Sequence, residues 1–381
     1  MSLLILVLAL TLSIRLPIVQ TWIVQQVTHY LSSQLGTRVD VGGVNIVFFD
    51  NIRINNLFIG DQNQDTILQA NDINAGISVF SLLDGKLKLK HISIENGVAK
   101  ISRTKSDRTY NIQFLIDYFA PTNPDTSKKG FEFDPGEIIL KNMSLAYRDF
   151  KWGGSNAGSE IDFDDIRLDQ ASIRIRELET TKNEVSALVS GLSFVEKSGF
   201  KLSKLDTKVV VDTSAAQLED MTLETPYSFL SGGFKMEYND ASDFEDFISK
   251  VIMKADLKNS SLNSKDLSFF TSELAGTNVE LGVNGQIKGT VDNLRGKNIE
   301  LTYGESTLIK CSVSMTGLPD IEETYFDLKL DKLTTNSKDL STLPKIPATS
   351  KEKIEIPSEL NKLGKIEING KFNGFLSDFV A

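Results

Sequence analysis

The residues of this chain best suited to chemistry are the four carboxylates of the segment IDFDDIRLD, at Asp162, Asp164, Asp165 and Asp169. Hard cations prefer several oxygen ligands close together, so this cluster is the best candidate for a cation site. Alternation along a strand would send Asp162 and Asp164 to one face and Asp165 to the other, and no glycine-kinked loop gathers them. The pattern therefore favours a solvated strand edge whose charges discourage edge-to-edge pairing.

Other reactive residue types are scarce. The chain has one cysteine, Cys311, and two histidines, His29 and His91. Cys311 lies in an alternating run far from either histidine in sequence, which favours a small sheet residue over a nucleophile. Two histidines build a zinc site only if carboxylates supply most of the ligands, and His91 is typical of a surface or turn position.

Sequence motifs of the common enzyme classes are also missing. The sequence contains no P-loop, no dinucleotide-binding glycine motif, no nucleophile elbow and no H-E-x-x-H helix. We therefore expect no catalytic residue, no metal and no cofactor. The enzymatic alternative is a β-helix that cleaves a polysaccharide with paired carboxylates such as Asp162 and Asp164.

Composition narrows the class of protein. The 381 residues are 40% hydrophobic and 24% charged, an ordinary globular balance with enough apolar residues for a large core. The 41 basic residues are outnumbered by 51 acidic ones, and the formal charge of −10 is spread along the chain. Capture of a phosphate backbone needs the opposite sign, so nucleic acid is excluded as the expected partner.

From Val39 onward, apolar residues recur with a period of two between Gly, Asn, Asp or Pro residues. This pattern is typical of strands with one buried face, and it occurs in VDVGGVNIVFF, NIRINNLFIG, KLKLKHISIENGVAKIS, EIILKNMSLAYRD and DIRLDQASIRIREL. Helices are expected mainly at ISVFSLLDG near Ile77 and SDFEDFISKVI near Ser242. We predict a mostly β fold, an elongated and repetitive antiparallel sheet with a few short helices, one wet face and one apolar face.

The N-terminal run LLILVLALTLSI is apolar but shorter than the roughly 20 residues that cross a bilayer as a helix. We interpret it as the second half of a signal anchor that begins upstream of Met1. A buried core helix and a cleaved signal peptide are the alternatives. The predicted membrane-anchor residues are Leu3, Leu4, Ile5, Leu6, Val7, Leu8, Leu10, Leu12 and Ile14.

The next segment, after Pro17, predicts an amphipathic helix. Its apolar residues recur at spacings of three and four, with Pro17 suited to the first turn and Gly36 to the C-cap. Trp22 and Tyr30 are suited to the headgroup level of a membrane, although packing under the first strand is the more frequent fate of such a stripe.

One hexapeptide, NSKDLS, occurs at both Asn263–Ser268 and Asn336–Ser341. Matching segments accompany it: ADLK and FDLK precede the two copies, and VNGQIKGTVDNL and INGKFNGFLSDF follow them in the same order. We therefore predict a repeated block of β-meander, in which the hexapeptide forms a short helical or turn connection capped by its Ser or Asp.

Six of the nine prolines fall in two stretches that read as connectors, at 121–135 and 344–357. With the repeats, they divide the chain into a partial anchor (1–16), an amphipathic helix (17–36), an N-terminal β unit (37–120), a linker (121–135), a β-groove block (136–225), a β-groove repeat (226–300) and a second, truncated repeat (301–381).

Several of these segments resemble the N-terminal part of the TamB and AsmA-like envelope proteins. They are RLPIVQ, LSSQLGTRVDVGGV, NIRINNLFIGDQNQDTILQANDI and VFSLLDGKLKLKHISIENG, and IPSELNKLGKIEINGKFNGFLSDF is similar to the repeats of that group. The resemblance implies a long taco-shaped β-groove, held by one helix in the inner membrane of a Gram-negative-type cell and crossing the periplasm.

The implied function is to conduct phospholipids between the inner and outer membranes. For the TamB branch, a partnership with an outer-membrane assembly barrel is implied as well. That contact belongs to a C-terminal domain that has no counterpart in this sequence, which stops at Ala381 inside a repeat.

A lipid conduit needs a continuous apolar strip, since acyl chains avoid water at roughly 25 cal/mol per Å² of apolar surface. Alternation alone leaves open a structural or adhesive protein whose strands seal a closed core with their own side chains. The predicted groove-lining residues are Val209, Val211, Val279, Leu281, Val283, Ile287, Val291, Phe326, Leu328, Leu330, Ile366, Ile368, Phe372 and Leu376.

Overall fold

The computed structural model describes residues 16–47, 50–77, 86–104, 106, 109–119, 132–134, 136–150, 160–181, 183–271, 274–344, 364–376 and 378–380. The chain divides into two compact units. Unit 1 comprises Met1–Leu178 and Gly191–Gly199, and unit 2 comprises Glu179–Ser190 and Phe200–Ala381. The predicted anchor residues between Leu3 and Ile14 lie outside the described residues.

The first described element of unit 1 is the predicted helix, α1 (Pro17–Leu35). Pro17 occupies its first turn and Gly36 ends it in the left-handed conformation at φ 63°. Ser32 Oγ hydrogen-bonds both the amide and the carbonyl of Val39, which joins the end of α1 to the first strand. Trp22 and Tyr30 are exposed. They therefore do not pack beneath the first strand, which was the alternative to a position at the membrane headgroups.

Unit 1 is built around a sheet whose first strands form an antiparallel meander: β1 pairs with β2, β2 with β3 and β3 with β4. After a helix, α2, the strands β5 and β6 lie beside β4, and β7 pairs antiparallel with β6. The strand β8 is divided between the two units. The bounds are β1 (Val39–Val47), β2 (Asn51–Gly60), β3 (Thr66–Ile77), β4 (Lys86–Arg103), α2 (Gln113–Phe119), β5 (Glu132–Asp134), β6 (Glu137–Asp149), β7 (Asp165–Thr180) and β8 (Glu184–Glu196).

The prediction of antiparallel pairing is wrong at one place, because β5 and β6 run parallel to β4. Parallel neighbours cannot be joined by a tight hairpin and need a long crossover connection. The chain between Arg103 and Glu137, which includes α2, provides it. The predicted linker at 121–135 falls in this crossover; residues 132–134 form β5, and the rest of the linker lies outside the described residues.

Unit 2 is an antiparallel meander in which each strand from β9 to β18 pairs with the next one along the chain. Its elements are β9 (Lys201–Asp212), β10 (Ala215–Glu224), β11 (Phe229–Glu237), a 3₁₀ helix (Ala241–Asp246), α3 (Phe247–Lys250), β12 (Ile252–Asn263), α4 (Ser264–Leu267), β13 (Glu280–Thr290), β14 (Asn293–Tyr303), β15 (Thr307–Thr316), β16 (Tyr325–Asn336), α5 (Ser337–Leu340), β17 (Lys365–Gly374) and β18 (Phe379–Val380).

The predicted fold class is therefore confirmed at the level of a mostly β protein with an antiparallel sheet and few short helices. The helical prediction near Ser242 is confirmed by the 3₁₀ helix and α3. The helical prediction near Ile77 covers residues 77–85; Ile77 is the last residue of β3, and residues 78–85 lie outside the described residues.

Bulges in the strands of unit 2 keep the apolar side chains on the same side of the sheet. In β14, Gly296 and Ile299 are three residues apart, yet they lie opposite Val313 and Cys311, which are only two apart. The extra residue is absorbed at Asn298, whose φ is 52°. Asparagine tolerates this left-handed conformation better than most residues, and one extra residue restores the phase of the alternation.

The doubled hexapeptide forms the same short helix in both places, α4 and α5, which confirms the predicted helical connection. The helix itself is capped by the Asn that precedes it, whereas the predicted capping of backbone amides by Asp is found at Asp339, which accepts hydrogen bonds from the Glu305 and Ser306 amides. Asn263 Oδ1 accepts a hydrogen bond from the Lys265 amide at 3.0 Å, and Asn336 Oδ1 accepts one from the Asp339 amide at 2.8 Å.

The aspartate of each hexapeptide ties its helix, which follows β12 or β16, to the start of the neighbouring strand, β11 or β15. Asp266 Oδ2 accepts hydrogen bonds from the hydroxyls of Thr225 and Ser228, each at 2.6 Å, just before β11. Asp339 Oδ2 accepts one from the Ser306 amide at 2.9 Å and one from the Thr307 hydroxyl at 2.8 Å, at the start of β15. The repeated sequence therefore encodes a repeated clamp on a pair of neighbouring strands.

We predict that Asp339→Asn lowers the free energy of unfolding by about 1–3 kcal/mol, because it places an NH₂ group or a weaker acceptor against buried donors. Asp339 is only 4% exposed. Burial raises the pKa of this carboxyl, but the hydrogen bonds from Ser306 and Thr307 outweigh burial and the pKa is lowered. Urea unfolding at pH 7 measures the effect.

The matched control is Lys338→Gln, since Lys338 is the neighbouring residue and its side chain is 70% exposed in an ion pair with Glu305. An exposed ion pair of this kind contributes at most about 1 kcal/mol. Equal unfolding free energies for the two variants would contradict the clamp.

Candidate functional site

The apolar side chains of unit 2 are aligned in rows that run across the strands. Directly paired residues of neighbouring strands have their side chains on the same side of the sheet. One row, the central row, has a member on each strand from β9 to β17: Val209, Leu218, Phe234, Ala255, Ile287, Gly296, Val313, Leu328 and Phe372.

A second row, the flanking row, lies two residues away and crosses the same strands. Its members are Val211, Ala216, Met236, Met253, Gly289, Leu294, Met315, Phe326 and Gly374. The two rows define the apolar face of unit 2. Gly289 and Gly374 occupy corresponding positions of the two repeats, with φ values of 141° and 142°, a conformation that favours glycine.

The apolar face remains accessible to solvent along both rows. The side chains of the central row are half-buried, and Val211 in the flanking row is 37% exposed, whereas the glycines Gly296 and Gly374 are buried. Full burial occurs elsewhere on the strands, at Leu257, Val283, Ile299 and Cys311, each less than 10% exposed. Packing within unit 2 therefore seals part of each strand and leaves the two rows open to contact.

The fourteen predicted groove residues occupy three kinds of position. Val283 is buried, while Val211, Ile368 and Leu376 are exposed. The rest are half-buried, namely Val209, Val279, Leu281, Ile287, Val291, Phe326, Leu328, Leu330, Ile366 and Phe372.

The structure brings Val209, Ile287, Leu328 and Phe372 together in the central row, and Val211 and Phe326 in the flanking row. Val279 and Val291 fall outside the strands, just before and after β13, and Leu376 lies in the turn between β17 and β18. The row members on β10, β11, β12, β14 and β15, such as Phe234 and Val313, were not among the predicted groove residues. Their alternating segments SFLSGGFKM and STLIKCSVSM carried the signal.

The opposite face of the same strands is polar and holds a cavity of about 890 Å³. Its lining includes Lys288, Arg295, Lys297, Ser314 and Asp327. The sequence predicted this face only as a wet surface. A wide, basic cavity on it is a feature that alternation does not reveal.

The acidic cluster of unit 1 is not arranged as predicted. Asp162 and Asp164 lie in a turn before β7, where Asp162 Oδ1 accepts a hydrogen bond from the Asp164 amide at 3.0 Å. Asp165 begins β7 and is 2% exposed, so it is no part of a solvated edge. Its carboxylate pairs with the Arg148, Arg167 and Lys197 side chains at 3.1, 2.7 and 2.9 Å.

This pairing uses the carboxylate oxygens that a cation would need. Among the residues that the structure describes, no cluster of three or more His, Cys, Asp or Glu side chains is placed to hold a metal ion. Burial raises the pKa of Asp165, but the hydrogen bonds from Arg167 and Lys197 outweigh burial and lower the pKa to about 2. Asp165 is a structural ion-pair centre.

The other reactive side chains also have structural surroundings. Cys311 is buried in β15, and burial together with the Asp331 carboxylate raises the pKa of its thiol, which disfavours a nucleophilic thiolate. His91 lies inside β4 opposite Gly76, not in a turn, and it is half-buried.

No protein-family model, curated protein or solved structure matches this chain. The functional interpretation therefore rests on the geometry of the apolar and polar faces of unit 2. None of the helices in the described part of the chain has both the length and the apolarity required to cross a bilayer.

We predict that Asp165→Asn lowers the free energy of unfolding at pH 7 by about 3 kcal/mol or less, because it removes the buried carboxylate that pairs with three partly exposed cations. A depressed folded-state pKa stabilises the protein above the unfolded value of 3.8. That contribution is lost as the pH falls towards 2. The difference between the wild type and the variant should therefore shrink between pH 4 and pH 2, as urea unfolding across this range can measure.

Asp164→Asn is the matched control, since Asp164 is the adjacent residue but is exposed. Burial and the Asp162 and Asp149 carboxylates raise the pKa of Asp164, so neutralising it should not destabilise unit 1. A pH-independent difference for Asp165→Asn would contradict the assigned ion-pair role.

Proposed function

We propose that this chain binds the acyl chains of phospholipids on the apolar face of unit 2 and conducts lipid along it. The observation that supports the proposal is the pair of nine-strand apolar rows, whose side chains are accessible instead of sealed in a core. Large accessible apolar surfaces on otherwise polar proteins mark binding sites for apolar partners.

The geometry of the rows suits an extended hydrocarbon. Neighbouring strands lie about 4.8 Å apart, so a chain that crosses the strands meets a new apolar side chain at each strand except where Gly289, Gly296 or Gly374 occupies the row. Each Å² of apolar surface removed from water contributes roughly 25 cal/mol, and the absence of directional contacts lets a lipid slide between equivalent positions. Such binding requires no catalytic residue and no cofactor.

The resemblance to TamB and AsmA-like envelope proteins supports a place for this activity. In the proposed arrangement, the apolar residues between Leu3 and Ile14 anchor the chain in the inner membrane and the β units lie in the periplasm. Trp22 and Tyr30 are exposed on α1, 60% and 58%, as side chains that contact a headgroup layer would be. An outer-membrane assembly barrel is the further partner that the resemblance implies.

We predict that Val313→Asp reduces binding of a fluorescent phospholipid to the full chain by about tenfold or more, because it places a charge in the middle of the central row. Ser312→Asp introduces the same side chain on the opposite face of the same strand and should bind lipid as the wild type does. Fluorescence titration measures the affinity, and circular dichroism checks the fold of each variant.

Ile368→Asp provides a second test that does not depend on a half-buried site, since Ile368 is 49% exposed and tolerates a charge more readily. Ile368 belongs to neither row, but it lies four residues before Phe372 on β17 and therefore on the same side of the sheet, so the charge should also weaken lipid binding. Apolar-face variants that fold and bind lipid like the wild type would overturn the proposal. A wild-type chain without lipid affinity would favour the structural or adhesive alternative with a closed core.

A further inference from the structure

Four cations lie directly opposite one another on the polar face of unit 2. Lys235 on β11 is paired with Lys254 on β12, Lys254 with Lys288 on β13, and Lys288 with Arg295 on β14. We call these four residues the cation row. Like charges in directly opposed positions of a sheet destabilise it. The cation row is positively charged, although the formal charge of the whole chain is −10.

Only one half of the cation row is neutralised by the protein. Glu237 Oε1 lies 2.6 Å from Lys254 Nζ and 3.2 Å from Lys235 Nζ. Within the described residues, Lys288 and Arg295 form no ion pair, and neither does Lys297, the next residue of β14 on that face. Local arrangements that cost stability without an evident structural gain tend to mark functional sites.

The three uncompensated cations line the cavity of about 890 Å³ on this face. A cavity of this size is in the range of small-molecule sites. Ser312 and Ser314 add hydroxyl groups to its wall, and Lys329 adds a further cation. Asp327 also lines it, but Asp327 is paired with Ser314, which is in turn paired with Arg295, so the backbones of Asp327 and Arg295 are two strands, about 10 Å, apart.

We infer that this cavity binds a soluble anion that carries several phosphate groups. An arginine fork contacts two phosphate oxygens at once, lysines act as point charges, and serine hydroxyls donate further hydrogen bonds. One phosphate group carries a charge of only about −1.5 to −2 at pH 7, so the three cations match a ligand with two or more phosphate groups better than a single phosphate. The three cations lie on the face opposite the lipid-binding rows, although Gly289, Gly296 and Val313 of those rows also line the cavity. The cation-row variant leaves these three residues unchanged.

The experiment is a calorimetric titration of the full chain with sodium tripolyphosphate. The wild type should show saturable binding that weakens as salt is added. The variant Lys288→Gln, Arg295→Gln, Lys297→Gln should lose about tenfold or more in affinity, because it removes the charge-assisted hydrogen bonds. The control Lys204→Gln, Lys338→Gln, Lys365→Gln changes the net charge equally at lysines that already have carboxylate partners, and it should keep the wild-type affinity.

The thermal midpoint separates a binding role from a structural one. Lys288→Gln relieves repulsion in the cation row and should unfold at the same or a higher temperature than the wild type, while binding tripolyphosphate less tightly. A lower midpoint would indicate that Lys288 stabilises the sheet and would count against the inference.

Three outcomes would overturn the assignment: no binding by the wild type, equal loss in the two triple variants, or full affinity in the cation-row variant. A fourth concerns the source of the phosphate. If phosphatidylglycerol vesicles bind through the same three cations and tripolyphosphate does not compete, the ligand is a lipid surface and the soluble-anion assignment fails.

Discussion

The register of the strands is the constraint on which unit 2 depends. A shift of one residue between two strands would turn every apolar side chain of one strand to the polar face. Two devices hold the register: the aspartate clamps at α4 and α5, which tie neighbouring strands at their ends, and the bulges at residues such as Asn298, which restore the phase where the sequence would lose it. The two apolar rows exist because nine strands keep this phase.

Much of this organisation follows from the sequence. The period of two predicts the strands, and the repeated NSKDLS predicts a repeated connection, which the structure shows as α4 and α5. The role of Asp266 and Asp339 could not be predicted, because their partners are distant in the chain. The same holds for Asp165: its neighbours suggest a solvated edge, and only the fold brings Arg148 and Lys197 to it. The parallel pairing of β4 and β6 could not be predicted either, because alternation shows which residues share a face of a strand but not the direction in which the strand runs.

Alternation gives the same strands two different chemistries. On β13, Ile287 belongs to the central row and the next residue, Lys288, belongs to the cation row on the other side. The two faces are opposite sides of a single sheet. A lipid on one side and a phosphorylated anion on the other would therefore bind without competing for space. Substitutions such as Lys288→Gln can therefore change one face without altering the side chains of the other.

The central claim is that the apolar rows contact lipid. Photo-crosslinking tests it most directly: p-benzoylphenylalanine is placed at Leu328, in the central row, or at the adjacent Lys329, on the polar face, and the full chain is irradiated with phospholipid. The account predicts a lipid adduct at position 328 and none at position 329, as mass spectrometry can read out. Adducts at neither position, or equal adducts at both, would contradict it.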